Sequence, residues 1–452
     1  MEYRKMLSAL LVPAMVLSLV ACGSTGTSST GASKTDSTAG TDETAASSGE
    51  KVTLTMWQQW GNGHEAEVMQ ETIDKFEKEN PNITIDATCV TDSSKILTAI
   101  SGGNPPDILS LWDTSVLGEW ASQGALTDLT PYIEKDAIDK DAFVPKAFDT
   151  VTYDGGIYGM PFILFNASLI YNADMFTEAG LDPESPPKTF DELLEYAKKL
   201  TKVDANGNIT QLGFVPTWPG SNMTKGIGYN FGANFYDEST KKITANDAGI
   251  INAFAFEQRF FNEIDGVTPQ DINNFVASGG AYLTADDLFE SGKLAMVIDG
   301  PWSLQYVKEN APDMDNSIKV AYIPTSSDCT DLYGTSYLDC NPQIIPAGAA
   351  HPEEAWKFIS WETTNEEVTK TFAEMAKNLS QLKSVELDSI KEDSRMQLFA
   401  DMAASDKARS FPAIANGSEY VTNLNDIEGK AMLDKTYDYK AALDDLNTKL
   451  NK

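Results

Sequence analysis

The order of secondary-structure patterns at the start of the folded region limits the chain to one fold class. Strand patterns are predicted at residues 54–57, 81–86 and 108–111, and helix patterns at 65–79 and 94–101. Strands that alternate with helices run parallel, because each helix returns the chain to the end of the sheet where the previous strand began. The sequence therefore predicts an α/β protein with a parallel sheet.

Chain length and charge narrow the architecture and the partners. The 452 residues exceed what one hydrophobic core usually supports, so we expect two lobes. The formal charge is -33, from 34 basic and 67 acidic residues. This excess of carboxylates repels phosphate groups, which argues against nucleic acid and against an anionic membrane surface as partners.

The N-terminal residues predict export and attachment to a membrane by lipid. Two basic residues precede an uncharged run, residues 6–21, which is short for a membrane span. The run ends in Leu19–Cys22, which resembles a bacterial lipobox and implies cleavage of a signal peptide, residues 1–21, before a lipid-bearing Cys22. A chance apolar start that ends in cysteine is the alternative.

Residues 22–50 are predicted to be a flexible linker. Gly, Ser, Thr or Ala occupies 23 of the 28 positions that follow Cys22, a composition that does not form a packed core. We therefore expect a folded body held by its lipid anchor alone at the extracytoplasmic face of the cell membrane.

The chain has no sequence motif for a metal site, for catalysis by histidine or cysteine, or for phosphate binding. There are two histidines, no CxxC and no phosphate-binding glycine motif after a predicted strand, so no metal, cofactor or catalytic residue is predicted. Outside the cytoplasm Cys329 and Cys340 could form a disulfide and leave Cys89 free, or all three could remain thiols.

Two acidic patterns have a functional and a simpler interpretation. Asp113 and Asp299 could form a glycosidase pair, but with 67 acidic residues such a pair is expected by chance. Residues 204–208 resemble a calcium loop, but the glycine is displaced and no Glu stands at the twelfth position. A hairpin turn is the favoured interpretation.

A tryptophan after a buried strand is the strongest candidate for ligand binding. Residues 294–298 predict a strand buried on both faces, preceded by a short helix at 284–291 that Thr284 caps. Pro301 then predicts a new helix, so Trp302 lies at the carboxyl end of a strand, where open α/β sheets bind ligands. A core tryptophan is the alternative.

Aromatic residues recur just past other predicted strands, at Trp60, Trp112 and Trp218. Sugar rings have apolar faces and polar rims, so a sugar site needs flat aromatic walls and a few polar partners. Candidates for these polar partners are Gln58, Gln59, Asn62, Asp113, Asp299 and Arg409.

An ordered set of motifs resembles one known family. The motifs are Leu54–Trp57, Gly103–Ile108, Tyr153–Phe162, Leu169–Asn172, Gly300–Trp302 and His351–Trp356. They resemble the bacterial extracellular solute-binding protein family 1, the sugar-binding lipoproteins of ABC importers related to maltose-binding protein. The resemblance spans nearly all of the body from Val52 to about Trp361.

The resemblance implies a two-lobed periplasmic-binding-protein fold of type II, maltose-binding-protein-like, with a hinge and an interlobe cleft. The N-terminal lobe is expected to comprise residues 51–163 and 330–372. The C-terminal lobe is expected to comprise residues 164–329 and 373–452.

The resemblance also implies which residues contact ligand. The tryptophan of the family's Gly-Pro-Trp motif stacks on a sugar ring, which implies this role for Trp302. Phe165 and Asn166 stand where maltose-type members have a carboxylate, which argues against maltose itself but not against a saccharide. The expected ligand contacts are Gln59, Trp60, Trp112, Asp113, Phe165, Asn166, Trp218, Asp299, Trp302, Tyr337 and Arg409.

The expected function is that of a lipid-anchored, monomeric, non-enzymatic receptor that captures an oligosaccharide and delivers it to the permease of a carbohydrate ABC transporter. Three alternatives remain at this point. The ligand could be a cationic solute such as a polyamine or a peptide. The chain could be a secreted glycan-active enzyme, or a surface subunit for adhesion or signalling.

Overall fold

The computed structural model describes residues 50–61, 63–219 and 226–452. The predicted signal peptide, Cys22, the linker before Glu50 and the candidate Asn62 lie outside the described residues. Among the residues inside these ranges, no helix combines the length and the apolar character needed to cross a membrane.

The first sheet contains the predicted parallel strands. Its order is β15 (Ala408–Arg409), β14 (Ser336–Ile344), β3 (Ile108–Ser110), β1 (Val52–Gln58) and β2 (Ile83–Cys89), with β6 (Met160–Asn166) also paired to β14. β1 is parallel to both β2 and β3, which confirms the predicted strand–helix alternation. β14 is antiparallel to β3 and β6.

The second sheet holds the strand that leads to Trp302. Its order is β13 (Ile318–Ala321), β7 (Ser168–Asn172), β12 (Leu294–Asp299), β9 (Ile209–Phe214) and β8 (Lys202–Val203). All six residues of β12 are buried, as an apolar run between two neighbouring strands requires. β12 is parallel to β9 and antiparallel to β7.

Helices cover both sheets. They are α1 (Gly63–Glu79), α2 (Ser93–Ser101), α3 (Leu117–Ser122), α4 (Thr130–Lys135), α5 (Ala173–Glu178), α6 (Phe190–Leu200), α7 (Ala248–Glu263), α8 (Pro269–Ala277), α9 (Trp302–Asn310), α10 (Pro352–Thr364), α11 (Glu366–Ala376), α12 (Asp388–Glu392), α13 (Ser394–Ala404), α14 (Gly417–Leu433) and α15 (Tyr439–Leu450). Two hairpins lie outside the two sheets, β4 (Thr152–Tyr153) with β5 (Gly156–Ile157) and β10 (Tyr236–Asp237) with β11 (Lys242–Ile243).

The chain passes directly between the two sheets, and this makes a molecule of two lobes. It leaves the first sheet at the end of β6 and enters the second after one residue, Ala167. It returns between β13 and β14. The C-terminal part contacts both lobes, because β15 pairs with β14 whereas α14 packs against α7. Phe165, at the end of β6, therefore lies next to the passage between the lobes.

Two elements differ from the sequence predictions. The helix predicted at 284–291 is wrong, because this segment forms successive turns. The Asp287 carboxylate accepts hydrogen bonds from the backbone N–H groups of Leu283, Phe289 and Glu290, which competes with helical hydrogen bonding. The glycine- and tyrosine-containing sequence at residues 331–346 predicts a hairpin or strand pair, and this prediction is also wrong, since one continuous strand, β14, occupies most of the segment.

Two local questions left open by the sequence have answers in the structure. Cys89, Cys329 and Cys340 are all unpaired thiols, and the Cys340 sulfur instead lies 3.1 Å from the Thr150 hydroxyl. Residues 204–208 form the turn between β8 and β9, with the Asp204 carboxylate accepting backbone N–H groups within the turn. The favoured hairpin interpretation is confirmed.

Candidate ligand-binding cleft

Trp302 is the first residue of α9 and follows the end of β12, as predicted. Its ring is partly exposed and meets Phe165 of β6 edge to face, with 5.9 Å between ring centroids and an interplanar angle of 72°. The ring also covers Gly300, since a Cβ atom there would lie 2.1 Å from it. An aromatic pair thus joins the strand end of the second sheet to the crossing strand of the first.

A buried carboxylate anchors the aromatic side chains around Trp302. Asp299 is 1% exposed and accepts hydrogen bonds from the Trp218 indole at 2.8 Å, the Tyr282 hydroxyl at 2.7 Å and the Gly300 backbone at 2.7 Å. The Trp302 Nε1–H donates to the Tyr282 oxygen at 2.8 Å. Three aromatic side chains are therefore connected to one carboxylate.

The surroundings set the protonation states of this group. Burial raises the pKa of Asp299, while hydrogen bonds from neighbours that include Trp218 and Tyr282 lower it. Burial, followed by the charge of Asp299, raises the pKa of Tyr282 far above its usual range. Tyr282 is therefore a neutral phenol that can donate to the carboxylate over the whole physiological pH range.

Tyr282 was not predicted to belong to the site. It lies in the irregular segment between α8 and β12, 17 positions before Asp299, where no strand end or helix start marks it. Its proximity to Trp302 depends on the turns around Asp287. Gly279 and Gly280 shortly before it mark a loop in the sequence but do not indicate a ligand site.

Trp112 forms a second aromatic surface in the first lobe. It follows β3 and its side chain is 48% exposed. Its backbone is held on both sides, because the N–H donates to Gln59 Oε1 and the carbonyl accepts from Asn341 Nδ2, each at 2.6 Å. Asp113 is partly exposed beside it and accepts from the Ser115 backbone at 2.8 Å. Gln59 thus positions Trp112 from a buried site.

Tyr337 and Arg409 lie on neighbouring strands of the first sheet. The buried Tyr337 hydroxyl donates to Asp339, which also accepts from the Thr114 hydroxyl at 2.8 Å. Burial and the charge of Asp339 raise the pKa of Tyr337 well above its usual value. The partly exposed Arg409 donates to the Asp406 and Ala408 carbonyls at 2.8 and 2.9 Å.

Apart from Tyr337 and Arg409, the predicted contacts form two groups, and two further residues are buried. Trp218, Asp299, Trp302 and Phe165 form the group around β12, and Gln59, Trp112 and Asp113 form the group after β3. Trp60 is 5% exposed and packs on Phe372 at 6.2 Å, within the core. Asn166 is also buried and donates to the Phe399 carbonyl at 2.8 Å. Exposed surface remains on Trp112, Asp113, Phe165, Trp302 and Arg409.

Two kinds of chemistry, hydrolysis by a carboxylate pair and metal binding, lack support in the described part of the chain. Both oxygens of Asp299 accept hydrogen bonds, from Trp218, Tyr282 and the Gly300 backbone, so this carboxylate is not presented to a substrate together with Asp113. No cluster of three or more His, Cys, Asp or Glu side chains suited to a metal ion occurs among residues 50–61, 63–219 and 226–452.

Comparison with known proteins decides the family. The sequence profile described as bacterial extracellular solute-binding protein matches residues 61–369. The chain belongs to this family. The resemblance inferred from the motifs and the maltose-binding-protein-like α/β fold are thereby confirmed.

Relatives of this solute-binding protein are named for oligosaccharides. It is 29% identical over 313 residues to the maltotriose-binding protein of Pyrococcus abyssi, covering 69% of this chain and 62% of that protein. It is 29% identical over 260 residues to the maltodextrin-binding protein MdxE of Bacillus subtilis, covering 54% of this chain and 55% of that protein. Both alignments span less than two thirds of the relative's own length.

Solved structures extend the similarity over most of the chain. The mannotriose-bound structure of CpMnBP1 is 28% identical, with a TM-score of 0.78, and the match covers 89% of this chain and 100% of that chain. The maltotriose-bound MalE domain of Bdellovibrio bacteriovorus is 25% identical with a TM-score of 0.68, covering 88% and 98%.

Proposed function

We propose that this protein is the extracytoplasmic receptor of a carbohydrate ABC importer and captures an oligosaccharide between its lobes. The observation that carries the proposal is the partly exposed Trp302 ring, held against Phe165 where the chain crosses between the sheets. A flat aromatic face of this kind suits the apolar face of a sugar ring. The relatives named for maltotriose, maltodextrin and mannotriose support the same ligand class.

The two-lobed architecture supplies the mechanism. A ligand that touches Trp302 in one lobe and Trp112 in the other stabilises the closed arrangement relative to the open one. Stacking supplies affinity, and polar groups at the rim, such as Asp113 and Arg409, orient the sugar hydroxyls. Delivery to a permease follows when the closed receptor docks and reopens.

The remaining features of the proposal come from the sequence and the family. Residues 1–21 direct export, Cys22 carries lipid and residues 22–50 tether a monomeric body to the extracytoplasmic face of the membrane. The protein binds its ligand without chemical change, a view supported by the hydrogen bonds that Asp299 accepts from Trp218, Tyr282 and the Gly300 backbone.

A ligand screen by thermal unfolding tests the function directly. We expect maltotriose or mannotriose to raise the unfolding temperature, because a ligand at a hundred times its Kd stabilises the folded state by about 2.7 kcal/mol. The affinity should be nearly the same at low and high salt, since the ligand is neutral. Stabilisation by spermidine instead, with a steep salt dependence, would contradict the carbohydrate assignment and favour a cationic solute.

Replacing Trp302 by Ala tests the stacking role. We expect at least a tenfold weaker sugar Kd by calorimetry, about 1.4 kcal/mol, because the aromatic face is lost. Trp361→Ala is the matched control, since Trp361 packs on Phe76 and donates to Glu79 in the first lobe. An unchanged affinity in the Trp302 variant would return this ring to a structural role.

A further inference from the structure

We propose that Tyr282 and Asp299 are positioning residues that hold the Trp302 ring in its ligand-binding orientation without contacting the ligand themselves. This inference rests on the proposed function, since it concerns the same aromatic surface. It assigns a role to a tyrosine that the sequence did not single out, and it changes the role expected for Asp299 from ligand contact to anchor.

The order of donors and acceptors supports a relay from Trp302 to Asp299. An indole N–H can only donate and a carboxylate can only accept, so a group between them must do both. The Tyr282 hydroxyl does so, accepting from Trp302 Nε1 at 2.8 Å and donating to Asp299 at 2.7 Å. Phenylalanine at position 282 would keep the ring and break both links.

The anchor of the relay is fixed from several sides. Asp299 is 1% exposed, and the Gly300 backbone and the Trp218 indole hold its carboxylate at 2.7 and 2.8 Å. The Trp218 ring also packs edge to face on Tyr282, with centroids 5.8 Å apart and an angle of 79°. The phenol therefore has little freedom to turn away from Trp302.

The Trp302 indole depends on this relay for its orientation. Gly300 lies beneath the ring and Phe165 meets its edge, which restrains the ring position. The indole could occupy this position in two orientations related by a 180° flip. The hydrogen bond from Nε1 to Tyr282 is the polar contact that favours the observed orientation over the flipped one. Affinity for a stacked sugar increases when that orientation is formed before binding.

Tyr282→Phe tests the relay, with Tyr171→Phe as its matched control. Tyr171 lies on the neighbouring strand β7 and donates to the Pro183 carbonyl at 2.9 Å, so its variant loses one hydrogen bond in the same lobe. With maltotriose and mannotriose as probes, we expect about a tenfold weaker Kd for Tyr282→Phe and less than a twofold change for Tyr171→Phe. Asp299→Asn is a second variant with the same expected direction.

Two readouts separate positioning from a general structural effect. The ¹H–¹⁵N indole resonance of Trp302, assigned with Trp302→Phe, should shift in ligand-free Tyr282→Phe and stay in place in Tyr171→Phe. In a double-mutant cycle, Tyr282→Phe should weaken binding no further once Trp302 is Ala. Equal weakening with and without Trp302 would show that Tyr282 acts on the ligand directly and would overturn the proposal.

The test also distinguishes the relay from the proposed function. An unshifted indole resonance in Tyr282→Phe overturns the relay whatever the ligand. Failure of wild-type protein to bind either sugar overturns the carbohydrate assignment, while the ligand-free resonance still decides whether the relay exists.

Discussion

Replacing Glu362 by Gln is expected to raise the free energy of unfolding at pH 8 by roughly 4 kcal/mol. Glu362 of α10 is fully buried, and neither of its carboxylate oxygens has a hydrogen-bond partner among the described residues. Burial raises the pKa of Glu362 from 4.5 to about 8. The folded chain must therefore retain a proton that the unfolded chain releases, which costs stability.

The sign of the pH dependence follows from that shift. Below the unfolded-state pKa of 4.5, Glu362 is protonated in both the folded and the unfolded chain, so its protonation does not change the free energy of unfolding. Above it only the folded state keeps the proton, so stability falls by up to about 1.4 kcal/mol per pH unit until the folded pKa near 8 is reached. Glutamine has no proton to lose, so this part of the slope should disappear.

Urea unfolding at about pH 5 and about pH 8 measures the effect through the linear dependence of unfolding free energy on denaturant. Glu134→Gln is the matched control, because Glu134 is exposed on α4 and its removal changes the charge equally. We expect the control to keep the wild-type slope. The same slope in Glu362→Gln would mean that Glu362 is ionised and paired in the folded protein.

Other buried carboxyl groups act in the same direction. Burial and the neighbouring Asp287 raise the pKa of Glu290 to about 9. Burial and the charge of Glu428 raise the pKa of Glu257 well above its usual value. Each of these groups lowers the free energy of unfolding as pH rises from the group's unfolded-state pKa towards its folded-state pKa. This strongly acidic protein should therefore be most stable under mildly acidic conditions.

Local sequence patterns determined much of the fold. The apolar run of β12 predicts a buried strand, and Thr189 followed three residues later by Glu192 predicts the capping box that α6 has, because one strand or one helix turn contains the whole signal. Pro352 likewise predicts a helix start, and it occupies the first turn of α10. The prediction at 284–291 failed because a single carboxylate, Asp287, redirects three backbone N–H groups into turns.

The tryptophans show what a local pattern leaves undetermined. Trp60, Trp112 and Trp218 all follow strands, yet Trp112 is 48% exposed while the other two are almost completely buried. The difference comes from residues distant in sequence, since Trp60 is covered by Phe372 and Trp218 is bound by Asp299. A strand-end aromatic therefore predicts proximity to a cleft but does not say which ring lines it.

Replacing Gly300 by Ala is expected to weaken oligosaccharide binding by about thirtyfold, roughly 2 kcal/mol. The backbone of Gly300 does not need a left-handed conformation, so the substitution acts through the added methyl group. A Cβ there would lie 2.1 Å from the Trp302 ring, and the ring must move to admit it. That movement disrupts the stacking face, the edge contact with Phe165 and the hydrogen bond to Tyr282 together.

Calorimetry of Gly300→Ala against Gly429→Ala isolates this steric effect. Gly429 lies within α14 with open space around its Cβ position, so alanine there should leave affinity unchanged and add about 0.5–1 kcal/mol of stability. Because Gly300 is inferred to act only through the ring, Gly300→Ala should cause no further loss once Trp302 is Ala. Additive losses would instead place the ligand directly against Gly300, since a methyl group would then exclude the sugar even where no indole remains to be displaced.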